Sequence, residues 1–279
     1  MIKTILVGID GSEHARTAVS YALWLAERLQ GRVVGLHVVD IVSIEGSFFH
    51  DISGSLGFEP YLDFSSKMRA VLQERGKTLL DAFAELAAKR GVQADTALGM
   101  GIVANEIVER ARTADLVVIG HRGLNERFST GLLGSSSESV TRRCPKPVFV
   151  APMAFRECTN PLLAYDGSAR AASVMQQAAE FCSTLGLPLT VLTVNRDEEQ
   201  GHRVLAEAHA YLQPYGLTVQ LELQQTGNAP ERIANFIRER NYDLLFIGAY
   251  GHGRIIEMVL GSTTEYVLRN VDCPVFLNR

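Results

Sequence analysis

Residues 243–263, Asp243-Leu-Leu-Phe-Ile247-Gly248-Ala-Tyr-Gly251-His-Gly-Arg-Ile-Ile-Glu-Met-Val-Leu-Gly261-Ser262-Thr263, decide how the chain is read. The short apolar run Leu244–Ile247 reads as a buried strand. Glycines directly after it let the backbone approach a ligand. Ser262 and Thr263 then place hydroxyls and amides where a helical pattern, Thr264–Arg269, begins. Strand, glycine loop, covering segment and helix in that order suit an anionic group, phosphate above all. A weaker copy lies upstream: Asp115-Leu-Val-Val-Ile119, Gly120-His-Arg-Gly123, then Gly134-Ser135-Ser136.

The copy extends over the whole chain. Asp10 and Asp166 each stand in an Asp-Gly-Ser triplet after an apolar run, 156 residues apart, as do Val38 and Val194. Gly101 and Gly227 are 126 apart; Asp115 and Asp243, and Gly120 and Gly248, are 128 apart. The first half therefore carries 28 extra residues between Val38 and Gly120. Most of them fit Asp40–Ser66, a stretch that loses periodicity, gathers Gly, Ser and Phe, and is expected to be a long loop or lid.

In the first half, strands are expected over 2–9, Arg32–Val39, Gln93–Leu98, Leu116–Ile119 and Pro147–Val150. Helices are expected over Glu13–Gln30, Lys67–Arg90, Val103–Arg112 and Ser135–Arg143. A mixed segment, Met153–Asn160, precedes the same alternation in the second half, which ends in a strand over Pro274–Leu277. Strands alternating with helices predict an α/β protein of two tandem doubly wound, Rossmann-like domains, 1–153 and 154–279. Each would be a parallel sheet with helices on both faces.

A chain of 279 residues, 47% hydrophobic and 21% charged, is long enough for two cores. A net charge of −4 supplies no basic field for nucleic acid, which is not expected as a partner. Met1-Ile-Lys-Thr-Ile-Leu-Val-Gly does not resemble a signal peptide, and no apolar run approaches the roughly 20 residues of a membrane span. A cytoplasmic protein without membrane contact is expected. Cys144, Cys158, Cys182 and Cys273 lack CxxC spacing and read as small buried residues, so no metal site is expected.

Several motifs tempt without holding. Gly76-Lys77-Thr78 resembles the end of a P-loop, but Val71 stands where the first glycine belongs and the triplet lies in a helical pattern. Gly99-Met-Gly101-Ile-Val-Ala104 matches G-x-G-x-x-A, yet comes late in the half, and Gln225 replaces the first glycine in the repeat. A tight strand-to-helix turn explains it. His121 and His252 stand at different places in the two glycine loops and have no evident nucleophile or metal partner. Arg122, Arg127 and Arg254 are better suited to phosphate charge, or to solvent. Asp10 and Asp166, at the carboxyl ends of the first strands, either accept hydrogen bonds from a ribose or adenine or cap the next helix.

With Asp166 at the end of the first strand, the spacing Gly248-x-x-Gly251-(nine residues)-Gly261-Ser262-Thr263 resembles the ATP-binding motif of the universal stress protein family. The resemblance covers essentially the whole chain, as a tandem member. It implies a five-stranded parallel sheet of order 3-2-1-4-5 in each domain and adenine nucleotide at the carboxyl edge, with ATP, alone or with magnesium, as the cofactor. Carried over residue by residue, the second site comprises Asp166, Val194, Ile247, Gly248, Gly251, Gly261, Ser262 and Thr263. The first comprises Asp10, Val38, Ile119, Gly120, Gly123, Gly134, Ser135 and Ser136. Ten residues rather than nine separate Gly123 from Gly134, so the second site follows the pattern more closely.

Family members dimerise through the fifth strand. The resemblance therefore implies either a homodimer or an internal pseudo-dimer of Pro147–Val150 with Pro274–Leu277. It also implies a stress-response or signalling protein that binds ATP with little or slow turnover and has no dedicated catalytic residues. Two alternatives stay open. One is an interaction module of the same fold whose Asp40–Ser66 segment recruits a protein partner. The other is an enzyme of a related adenine-nucleotide α-hydrolase fold, whose Ser-Gly-Gly-x-Asp-Ser signature Gly8-Ile-Asp-Gly-Ser12 and Ala164-Tyr-Asp-Gly-Ser168 reproduce poorly.

Overall fold

The computed structural model describes residues 2–40, 58–123, 134–248 and 261–278, and the side chains of all of these but 58–65. The first half runs β1 (Thr4–Gly8), α1 (Glu13–Leu29), β2 (Arg32–Asp40), α2 (Phe58–Lys89), β3 (Ala94–Gly101), α3 (Val103–Arg110), β4 (Leu116–Gly120), α4 (Ser135–Arg143) and β5 (Val148–Ala151). The second runs β6 (Pro161–Ala164), α5 (Ala169–Leu185), β7 (Leu189–Val194), α6 (Glu198–Leu212), β8 (Val219–Gln224), α7 (Ala229–Arg240), β9 (Leu244–Gly248), α8 (Ser262–Asn270) and β10 (Val275–Asn278). The alternation expected from apolar periodicity is the alternation found.

The ten strands among the described residues join one sheet, in the order β3-β2-β1-β4-β5-β10-β9-β6-β7-β8. Pairing is parallel within each half and antiparallel only between β5 and β10, where Val148, Phe149 and Val150 face Leu277, Phe276 and Val275. The carboxyl ends of the two sets of strands therefore lie at opposite ends of the sheet. Helices cover both faces. Ile5 and Val7 of β1 join the core beneath α1, α2, α5 and α6, whereas Leu6 joins the core beneath α3, α4, α7 and α8. Both cores run through both halves. Strands buried on two sides must be apolar at nearly every position, which is why they read as continuous runs.

Asp115 and Asp243, conspicuous as markers of the repeat, lie at the amino edge of each half. Asp115 Oδ2 accepts from the Lys3 and Thr4 amides at 2.8 and 2.9 Å. Asp243 accepts from the Thr159 and Asn160 amides, both at 2.8 Å, and from the Thr159 hydroxyl at 2.7 Å. Each carboxylate ties the start of β4 or β9 to the start of the adjacent first strand.

One expectation needs correction. The segment Asp40–Ser66 is not a loop throughout, because α2 begins at Phe58, nine residues before Lys67. Pro60 stands in the first turn, where a missing N–H breaks no intrahelical bond. Residues 41–57 lie outside the described residues. At 32 residues α2 is about 48 Å long. Gly76 lies within it, and a Cβ there would come within 2.5 Å of the His37 ring. That close approach, rather than phosphate, accounts for the glycine of the false P-loop.

Candidate functional site at the carboxyl edge of the second half

Ser168 opens α5, its hydroxyl oxygen accepting from the Ala171 amide at 3.2 Å. Asp166 is thereby released from capping. Its Oδ1 accepts from the Ser168 amide at 2.9 Å across Gly167, whose φ of 78° suits glycine. Asp10 repeats the arrangement, with Ser12 as the cap and the Ser12 amide 2.8 Å from Oδ1. Asp166 is exposed and Asp10 half-buried.

The residue before each acid is held from the side. Thr193 Oγ1 donates to the Tyr165 carbonyl at 2.9 Å, and His37 Nδ1 makes the matching bond to the Ile9 carbonyl at 2.7 Å. Both side chains are buried. Sequence reasoning missed them because Thr and His at matching positions share no residue type. Only the common carbonyl acceptor reveals the relationship. Tyr165 itself is buried and donates its Oη hydrogen to Glu207 Oε1 at 2.5 Å. Burial first, and this bond second, push the phenol well above its ordinary pKa.

The third wall is the start of α8. Gly261 is its N-cap and brings no side-chain cap, so Ser262 and Thr263 present first-turn amides as donors. Such a helix start favours negative charge. Thr264, one position past the hydroxyls singled out in the sequence, is buried and its Oγ1 donates to the Gly248 carbonyl at 3.3 Å. Ser137 does the same to Gly120 at 2.8 Å. These two hydroxyls fasten α8 and α4 to the ends of β9 and β4.

Asp166, Val194, Ile247, Gly248, Gly261, Ser262 and Thr263 line one cavity of about 140 Å³. Ala229 and Ile233 of α7 add apolar surface, and Arg170 of α5 adds a cation. Arg170 was not singled out in the sequence, because helical periodicity marks only that it is on the polar side. Gly251, His252 and Arg254 lie outside the described residues, as does Arg127.

In the first half, Asp10, Val38, Ile119 and Gly120 stand at the carboxyl ends of β1, β2 and β4. Gly123 closes over the acid, since a Cβ there would lie 2.8 Å from Asp10 Oδ2. Gly134, the N-cap of α4, donates its N–H to the His121 carbonyl at 3.2 Å, and Ser135 and Ser136 follow in the first turn. Among the described residues no cluster of His, Cys, Asp and Glu could hold a metal ion, and no helix is long and apolar enough to cross a membrane.

Two doubly wound α/β halves joined edge to edge, with an acid, a glycine strand end and an uncapped helix lining a pocket at the carboxyl edge, define a tandem Rossmann-like protein. The sequence model of the universal stress protein family matches residues 1–152 and again 160–279, and the chain belongs to that family. It is similar to the universal stress protein Slr1230 of Synechocystis sp., with 31% identity over the full length of both chains. It is also similar to a universal stress protein of Mycolicibacterium smegmatis, at 25% identity over 99% of this chain and 96% of the relative. The crystal structure of a universal stress protein from Archaeoglobus fulgidus shares the fold, with a TM-score of 0.75, 23% identity and coverage of 99% and 96%.

Proposed function

We propose that the protein binds adenine nucleotide, ATP foremost, in the second-half pocket and acts in the cytoplasm in stress response or signalling, with little or slow ATP turnover. The observation that carries this is the meeting of three chemistries in one cavity: the Asp166 carboxylate, the apolar surface of Val194, Ile233 and Ile247, and the uncapped start of α8. Asp166 suits the hydroxyls of a ribose or the amino group of a base. The apolar surface suits the base, and the Gly261–Thr263 amides and hydroxyls suit phosphate. A magnesium ion accompanying ATP would be carried by the phosphates. In the first half, Asp10, Val38, Ile119, Gly120, Gly123, Gly134, Ser135 and Ser136 form the corresponding but tighter cradle, a second or regulatory site. Because β5 and β10 use each other's edges, self-association of the whole chain would employ another surface.

Isothermal titration of ATP with magnesium into nucleotide-free protein tests the reading. Wild type should bind, Asp166→Ala should lose the second-half site, and Asp10→Ala should retain it. Folded, nucleotide-free wild type that gives no binding heat and no thermal shift would instead favour an interaction module built on the same fold.

A further inference from the structure

We infer that His121 is a positioning residue coupling the second-half pocket to the first-half cradle; the inference rests on the nucleotide-binding reading above. The His121 ring crosses between the halves, its Nε2 lying 2.7 Å from the carbonyl oxygen of Leu268, 147 residues away. A carbonyl only accepts, so Nε2 carries the proton and donates. Leu268 stands in the last turn of α8, where carbonyls lack intrahelical amide partners and are open to an outside donor.

The same residue holds the first-half cradle. The His121 carbonyl accepts from the Gly134 amide at 3.2 Å, fixing the N-cap of α4, and its own amide donates to the Ala151 carbonyl at 3.0 Å at the end of β5. Its ring lies 6.3 Å from the ring of His14, on the first turn of α1 and four positions after Asp10. One residue thus touches both the start of the first cradle and the far end of the helix whose start lines the second pocket.

Leu268 lies six positions after Ser262, about 9 Å along a single stiff helix. An anion seated on the Ser262 end orders or shifts α8 as a body, and the Leu268 carbonyl carries that change to the imidazole and on to Gly134. The antiparallel β5·β10 seam makes this reach short, because it sets the back end of α8 beside the carboxyl edge of the first half. The arrangement is not repeated. Position 249, the counterpart of His121, is alanine with no side-chain donor. A single bond nevertheless serves both directions, since coupling free energy between two sites is reciprocal.

Hydrogen exchange of the full chain with ATP and magnesium tests the coupling. In Asp10→Ala protein, which keeps the second pocket, ATP should slow exchange in Ser262–Asn270 and also, by roughly fivefold or more, in Ser135–Arg143. Adding His121→Ala should leave the first effect and remove the second. Adding His121→Gln, which retains an N–H donor, should restore part of it. The reverse arm uses Asp166→Ala protein and reads Ser262–Asn270 while ATP occupies the first half. If ATP binds in either arm and the distant helix is unmoved, or moves equally with His121→Ala, the coupling is overturned. If ATP binds in neither arm nor in wild type, the nucleotide reading fails and the coupling with it.

Discussion

A Cβ on Gly248 would lie 3.1 Å from the amide nitrogen of Ala171, in the first turn of α5. At the matching place, a Cβ on Gly120 would lie 2.8 Å from the carbonyl carbon of His14. The glycine that ends each fourth strand therefore admits the start of the first helix, which carries the Asp-Gly-Ser turn on its amino side. Its demand for glycine exists with or without a ligand. Gly120→Ala should cost on the order of 1–3 kcal/mol and Gly248→Ala less, because its contacts are looser. Urea denaturation of the two variants measures this, and a Gly120→Ala protein as stable as wild type would contradict it.

Thr193→Val removes the hydroxyl that donates to the Tyr165 carbonyl. The stranded buried carbonyl should lower stability by about 1–3 kcal/mol. Because Asp166 is the next residue, the same change should weaken ATP binding beyond what a mere loss of stability produces below the unfolding temperature. Titration calorimetry at 20 °C alongside a denaturation curve separates the two effects. Unchanged affinity in a destabilised protein would remove Thr193 from any role in placing the acid.

ATP at a hundredfold excess over its Kd should raise the unfolding free energy by about 2.7 kcal/mol for each site filled. Gly261→Val sets a branched side chain at the N-cap of α8 and should abolish the second-half share of that gain. Phosphate release should remain slow in both proteins. Turnover at the rate of a dedicated ATPase, lost in Gly261→Val, would overturn the proposal that the protein binds rather than consumes ATP.

Cys182 and Cys158 are buried, and burial raises both thiols, Cys182 to about 12 and Cys158 further, with the Asp243 charge adding to the latter. In the unfolded chain these thiols ionise near their ordinary pKa of about 8.5. Between roughly pH 9 and 12 the unfolded state therefore holds fewer protons than the folded one, and stability falls as pH rises through that window. Below it the contribution is fully present. Iodoacetamide at pH 8 should label both cysteines far more slowly in native than in denatured protein, and equal rates would show that the thiols are not shielded.

Much of the site could be read from the chain because its parts are sequence-local. Gly261-Ser262-Thr263 is a helix start whichever partners surround it, and Asp166-Gly-Ser168 is a turn into a helix. Other features could not be read in that way. Asp10 was open to reading as a cap, and only the Ser12 bond to Ala15 assigns the cap to the serine. The role of Asp243 depends on Asn160, 83 residues away. The helix start over Phe58–Ser66 was not legible, because the stretch Asp40–Ser66 loses apolar periodicity and its Gly, Ser and Phe content reads as a loop.

The sequence by itself determined the kind and order of the elements, the duplication and the strand ends at which a ligand would be expected. Apolar spacing, glycine and capping residues act within a few positions, so they are written locally. Only the tertiary structure decided that β5 and β10 close the two halves into one sheet, that Gly120 and Gly248 make room for helices, and that His121 reaches Leu268. Those relationships join residues separated by up to 147 positions. Their existence depends on topology and distance, to which a side chain's identity alone gives no access.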